Sequence, residues 1–218
     1  MGGPDGSATT RRRAPTIRPQ QIHDAAFHEF GERGLAATRL DDVARRAQVA
    51  KGTIYLYFPN KEALFREMVR TTIVDAIATA EAAEAGYDGE RTEDLLRLLV
   101  TRWWQFLRTE RVTTLTRLVH AELQHFPDLM AFYAEEVIAR ARRLIAAVVA
   151  RGIAGGEFRP LDPQVAARML SAIWISHAVW ASHRELHPSL GTDEAMLDDM
   201  LAFYLHALRP PVHPRPTP

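Results

Sequence analysis

None of the 218 residues is cysteine. Disulfides, thiolate nucleophiles and cysteine-ligated zinc are therefore excluded, and a reducing compartment suits the chain. No stretch approaches the roughly 18 uninterrupted apolar residues of a membrane-spanning helix. The opening MGGPDGSATTRRRAPT also lacks the apolar block of a secretory signal. The expected location is the cytoplasm, with no membrane partner. Period-two alternation and hairpin dipeptides between β-branched residues are almost missing, so strands are not expected. There is no glycine-rich phosphate loop, no G-x-S-x-G elbow and no paired-carboxylate site, which leaves enzyme activity and a cofactor without support.

The charges cancel, with 27 Lys/Arg against 27 Asp/Glu. They are nevertheless distributed unevenly. Residues 1–61 carry ten Lys/Arg against six Asp/Glu, and residues 62–218 carry 17 against 21. A basic head on a neutralising body has this form, and a basic head suits a polyanion.

Apolar residues recur at spacings of three and four throughout, which predicts an all-α fold of about nine helices between two polar, proline-rich tails, 1–17 and 210–218. The expected helices run over about 18–33, 38–47, 51–58, 60–85, 93–108, 112–124, 128–154, 163–184 and 193–208. Gly34 should stop the first, Thr38 should open the second and Asn60 should cap the fourth.

The segment KGTIYLYFPNKEALF, Lys51 to Phe65, holds the chemistry of the head. At about 100° per residue, Ile54 and Phe58 stack on one face and can join Val43, Ala44 and Val49 in a core, while Gly52, Thr53 and Leu56 point away and Tyr55 and Tyr57 flank them. A face that is small in the middle and hydroxylated at its edges suits the major groove: glycine permits close approach, hydroxyls reach phosphates and lysine neutralises them. A seven-residue helix cannot stand alone in water. It needs the preceding helix, with Leu40, Val43, Ala44 and Ala47 as a bracing stripe across the turn Gln48-Val49-Ala50. Pro59 stops it and Asn60 restarts the chain. Lys61, in a first turn where a cation is unfavourable, points to a docked phosphate.

LAATRLDDVARRAQVAKGTIYLYFPNKEALFREMV, with the preceding IHDAAFHEFGERG, resembles the DNA-binding domain of TetR-family transcriptional regulators. RLVHAELQHFPDLMAFYAEEV and GGEFRPLDPQVAARML are similar to the C-terminal domain of an AefR-like subgroup. The resemblance implies a homodimer. Its helices one to three, within residues 18–62, would hold DNA, and helix four would connect them to the body. Within 63–209, helices five to seven would line a pocket for a small-molecule effector, and helices eight and nine would form the dimer bundle. It places Lys51, Gly52, Thr53, Tyr55 and Tyr57 on the recognition helix, Lys61 on a phosphate, and Thr38 and Arg39 on the DNA at the start of the second helix. Three positions depart from the family pattern. Arg39 stands where Thr or Ser is common, Gln48 replaces the turn glycine, and Ala50 replaces a serine cap. Gln48 would cost on the order of 1 kcal/mol if the turn needs positive φ.

The body is rich in aromatics. Trp103, Phe106, Phe132, Met169, Trp174 and His177, with Trp104, Met130, Tyr133 and Trp180 nearby, are both core material and candidates for a pocket that takes an apolar or aromatic effector, with His177 as polar anchor. Trp103 and Trp104, 100° apart, cannot share one face. Ala166, Ala167, Leu170, Ala178, Leu197, Leu201 and Leu205 could pack either against a second copy or inside the monomer. Of nine histidines, His183/His187 and His120/His125 (with Glu122 between) come nearest to a metal pattern, and neither matches one. Arg11-Arg12-Arg13 is either a minor-groove arm or a solvated tail. The expected function is a ligand-responsive regulator, a repressor on a palindromic double-stranded operator. The alternative is an architectural helical protein that binds DNA without sequence choice.

Overall fold

The structure, a computed structural model, describes residues 19–181 and 192–211. The tail 1–17, with Arg11–Arg13, lies outside the described residues, as do His183, His187 and the side chains of Ala178 and Trp180.

Among the described residues there are nine helices and no strand, as the period-three-and-four pattern dictates. α1 is Pro19–Ala37, α2 Leu40–Arg46 and α3 Lys51–Tyr57. α4 joins Lys61–Val69, a π-helical turn Arg70–Val74 and Asp75–Ala85. α5 is Thr92–Leu107, and α6 is Glu110–Glu122, followed by a 3₁₀ turn Leu123–His125. α7 joins Pro127–Tyr133, a second π-helical turn Ala134–Ala139 and Arg140–Ala154. α8 is Pro163–Ala181 and α9 is Asp193–Leu208.

The expected punctuation is in place. Gly34 interrupts α1 with φ 80° and ψ 167°, a conformation reserved for glycine. Asn60 takes extended φ/ψ and its Oδ1 accepts from the Ala63 amide at 2.8 Å. α2, however, begins at Leu40 rather than Thr38, because Arg39 holds the extended conformation of an N-cap.

Two apolar cores organise the chain. The first gathers Ile22, Ala26 and Phe30 of α1, Val43 and Ala44 of α2, Ile54 of α3, Leu64, Phe65 and Met68 of α4, and Leu115 and Leu118 of α6. The second gathers Leu95, Leu96 and Trp104 of α5, Val148 and Val149 of α7, Ala167 and Leu170 of α8, and Leu201 and Leu205 of α9. Trp103 packs against both. Trp104 is buried in the second, so the adjacent tryptophans do face different ways. No described helix is long and apolar enough to cross a membrane.

Candidate nucleic-acid interface and effector pocket

The head is built around Ile54, fully buried, with Val43 and Ala44 behind it and Phe58 and Val49 packed beside it. The turn that sets α3 across α2 is closed by Ala47 N–H to Val43 O at 2.8 Å and Val49 N–H to Ala44 O at 3.0 Å. It does require a left-handed residue: Gln48 has φ 55°. Ion pairs fix the helices from outside. Arg46 reaches Glu29 at 3.0 Å and Glu32 at 2.9 Å, and Lys51 reaches Asp41 at 2.7 Å. That hydrogen bond from Lys51 holds the Asp41 carboxyl below the usual carboxylate range and raises the lysine.

The outward face of α3 carries Lys51, Gly52, Tyr55, Leu56 and Tyr57, all exposed, with Thr53 half-buried. Nothing lies within 4 Å of where a Cβ on Gly52 would sit, so close approach is open there. Leu56 is 85% exposed. Periodicity sets it on this face, and an exposed aliphatic tip suits contact with a thymine methyl.

Thr38, expected on the DNA, points inward. It is 1% exposed, and its Oγ1 donates to the Gly34 carbonyl at 2.7 Å, with the Glu29 carbonyl at 3.1 Å. Its hydroxyl closes the end of α1 instead of facing outward. Arg39 is exposed. Lys61 has an intramolecular partner: its Nζ donates to the Ala36 carbonyl at 2.6 Å and lies 5.8 Å above the Phe126 ring. The negative end of α1 explains a lysine in the first turn of α4 without a phosphate.

The six expected effector residues do not share one cavity. Trp103 stacks 5.2 Å from Phe106 and 6.2 Å from Trp174. Trp103 and Trp174 line a space of about 20 Å³ with Ile77 and Ala80 of α4, Leu99 of α5, and Ala141, Leu144 and Ile145 of α7. That is room for about one water. The Trp174 Nε1 is buried with no hydrogen-bond partner. Phe132 lies elsewhere, under the guanidinium groups of Arg66 and Arg70 at 5.9 and 5.3 Å. Met169 and His177 line a larger open groove of about 790 Å³ between α8 and α9, where His177 also stacks 4.3 Å from Trp104. They separate because Ala166, Ala167, Leu170 and Trp174 take the inner face of α8.

Residues 22–68 match the family described as "Bacterial regulatory proteins, tetR family", and residues 87–195 match "Tetracyclin repressor-like, C-terminal domain". The chain is 31% identical over 193 residues to the uncharacterized HTH-type transcriptional regulator YhgD of Bacillus subtilis, covering 86% of this chain and 94% of YhgD. It belongs to the TetR family. Among solved structures, FadR of Bacillus subtilis in complex with stearoyl-CoA superposes with a TM-score of 0.72 at 21% identity, over 88% of this chain and all of FadR. The SmeT–triclosan complex gives 0.69 at 24% identity, over 91% and 98%. SmeT is described as the repressor of a Stenotrophomonas maltophilia multidrug efflux pump. At these identities the two structures establish the fold.

Of the two packings open to the apolar residues of α8 and α9, most take the one inside the monomer. Ala166, Ala167, Leu170, Leu201 and Leu205 are buried in the monomer's second core, and Leu197 is half-buried. Among the described residues, the large apolar side chains left exposed on α8 and α9 are Val165, Met169, Ile175 and Phe203, with Met169 52% and Phe203 71% exposed. Both faces read as apolar in sequence, so only packing could assign them. Among the described residues no group of three or more His, Asp or Glu is placed to hold a metal.

Proposed function

We propose that this TetR-family regulator is a cytoplasmic repressor. It binds an inverted-repeat operator as a homodimer, with one α3 in each of two major-groove half-sites about one DNA turn apart or a multiple of it. The observation that carries this reading is the outward face of α3, with Gly52 open at its centre and Tyr55, Leu56 and Tyr57 exposed around it on a rigidly buried Ile54. Lys51, Thr53 and Arg39 complete the contact set. Lys61 adds a phosphate contact through the ammonium hydrogens that Ala36 leaves free. The second copy docks on the apolar face between α8 and α9 where Val165, Met169 and Phe203 lie together.

The effector is a compact apolar or aromatic molecule that enters between Trp103 and Trp174, where one acceptor atom would satisfy the Trp174 Nε1. Complexes of FadR with stearoyl-CoA and SmeT with triclosan support apolar ligands on this fold. The space is about 20 Å³, so binding must widen it by parting α4 from α5, α7 and α8. The effector acts because it prefers that widened arrangement over the DNA-bound one.

The test is selection from random duplexes at near-physiological salt. An enriched inverted repeat supports both the sequence-specific contact and the two-fold protein. Uniform retention, matched by loss to any competitor duplex at equal phosphate, would replace this reading with a sequence-blind architectural one.

A further inference from the structure

The end of α1 is held by a carboxylate from the body. Beyond the break at Gly34, the amides of Leu35 and Ala36 both donate to Glu122, the last residue of α6, at 3.0 Å to Oε1 and 2.7 Å to Oε2. A Cβ on Gly34 would lie 2.4 Å from Glu122 Oε1, so any side chain there would push the carboxylate aside, and the φ of 80° favours glycine in any case. α6 runs beside α1 along its length. Arg111 pairs with Asp24 and stacks 5.2 Å over Phe27, and Arg117 donates to the Gly31 carbonyl at 2.8 Å. α6 also contacts α5, α8 and the π-helical turn of α4. α5 and α8 are the helices that carry Trp103 and Trp174.

In the sequence Glu122 is only a spacer between His120 and His125, and the recognition surface does not use it. We infer that Glu122 is a positioning residue for DNA binding: its two-oxygen grip on Leu35 and Ala36 makes α1 follow α6, and so sets the pitch of the head relative to the body. A charged acceptor bracketing two backbone donors is stronger and more directional than packing alone. Movement of α6 is then transmitted to the head through this contact. The inference rests on the operator reading above, because head pitch is visible on DNA as half-site spacing.

The experiment uses the full-length protein, the operator recovered by selection, and versions of it with the half-sites moved by one and two base pairs. Glu122→Gln replaces one acceptor with a donor aimed at a donor, and Glu122→Asp keeps the charge but shortens the reach by one methylene. Both should leave affinity for random duplex unchanged, because the α3 face is untouched. Both should lower the preference for native spacing at least about fivefold, the low end of ordinary coupling between sites. Amide exchange at Leu35 and Ala36 in the DNA-free protein should accelerate in both. Unchanged spacing preference and exchange in the folded variants would overturn the inference while leaving the operator reading intact. Failure of both variants to fold would overturn it in favour of a purely structural role. A wild-type protein indifferent to spacing would overturn the operator reading, and this inference with it.

Discussion

Gln48 occupies a left-handed position, φ 55°, that the turn between α2 and α3 demands and that glycine meets without strain. Gln48→Gly should therefore raise stability by about 0.5–1 kcal/mol, the relief of strain less the greater freedom of glycine in the unfolded chain. The denaturant midpoint measures it, and a fall in midpoint would mean that the Gln48 side chain holds the turn.

His23, buried in α1 beside Phe58, is a second residue with a consequence of its own. Burial holds its imidazole below the ordinary value of 6.5, against an upward pull from Glu67. The folded state thus binds this proton more weakly than the unfolded chain does. Its contribution to stability is complete above pH 6.5 and is lost as the pH falls from there toward the lower folded value. Melting temperature followed from pH 8 to pH 5 should decline in that window, and His23→Phe should flatten the decline.

On the DNA face, Lys61→Ala should weaken operator and random duplex alike and lower the salt slope by about one. No change in either would leave Lys61 solely as the partner of Ala36.

At the scale of elements, helix ends are held by remote groups. α5 has no side-chain cap of its own: the Thr92 and Glu93 amides donate to Glu157, after α7, at 2.7 and 3.2 Å. α9 is tied back at its end by Arg209, which reaches Glu93 Oε1 at 2.8 Å and Oε2 at 3.2 Å. Arg97 reaches Glu93 Oε1 at 3.0 Å. These hydrogen bonds, Arg209 first, hold the buried Glu93 carboxyl below its ordinary value of 4.5, so the tie should weaken as the pH falls through that range. Glu93→Ala should cost about 1–3 kcal/mol, less than a fully buried pair because the arginines are half exposed. Urea midpoints at neutral pH check this. Gly34→Ala adds an unfavourable φ to a collision with Glu122, and should cost about 1–3 kcal/mol.

At the scale of the molecule, the outer face of α8 and α9 can be changed without touching the core. Phe203 and Met169 are the most exposed large apolar groups there. Phe203→Glu and Met169→Glu should keep the helical circular dichroism spectrum but convert a sedimenting dimer to a monomer. Operator affinity should fall steeply while random-duplex affinity changes little. A dimer that persists in both variants would move the proposed interface to another face.

The fold was legible in the sequence to the extent that it is local. The nine helices of the described residues, the stop at Gly34, the Asn60 cap and the outward face of α3 follow from 3.6-residue periodicity and from residues that act within one turn of themselves. Even the strain at Gln48 follows from a turn whose geometry its neighbours fix. The tertiary structure decided everything that needs two elements at once. Glu122 and Glu157 cap helices from more than sixty residues away, and no spacing rule reaches that far. Thr38 is buried because its hydroxyl turns back onto the Gly34 and Glu29 carbonyls of α1. α8 carries apolar residues on two faces, and which face meets the core depends on where α7 and α9 lie. The body's aromatics scattered for the same reason: burial is conferred by neighbours, and a sequence names the side chains but not the neighbours.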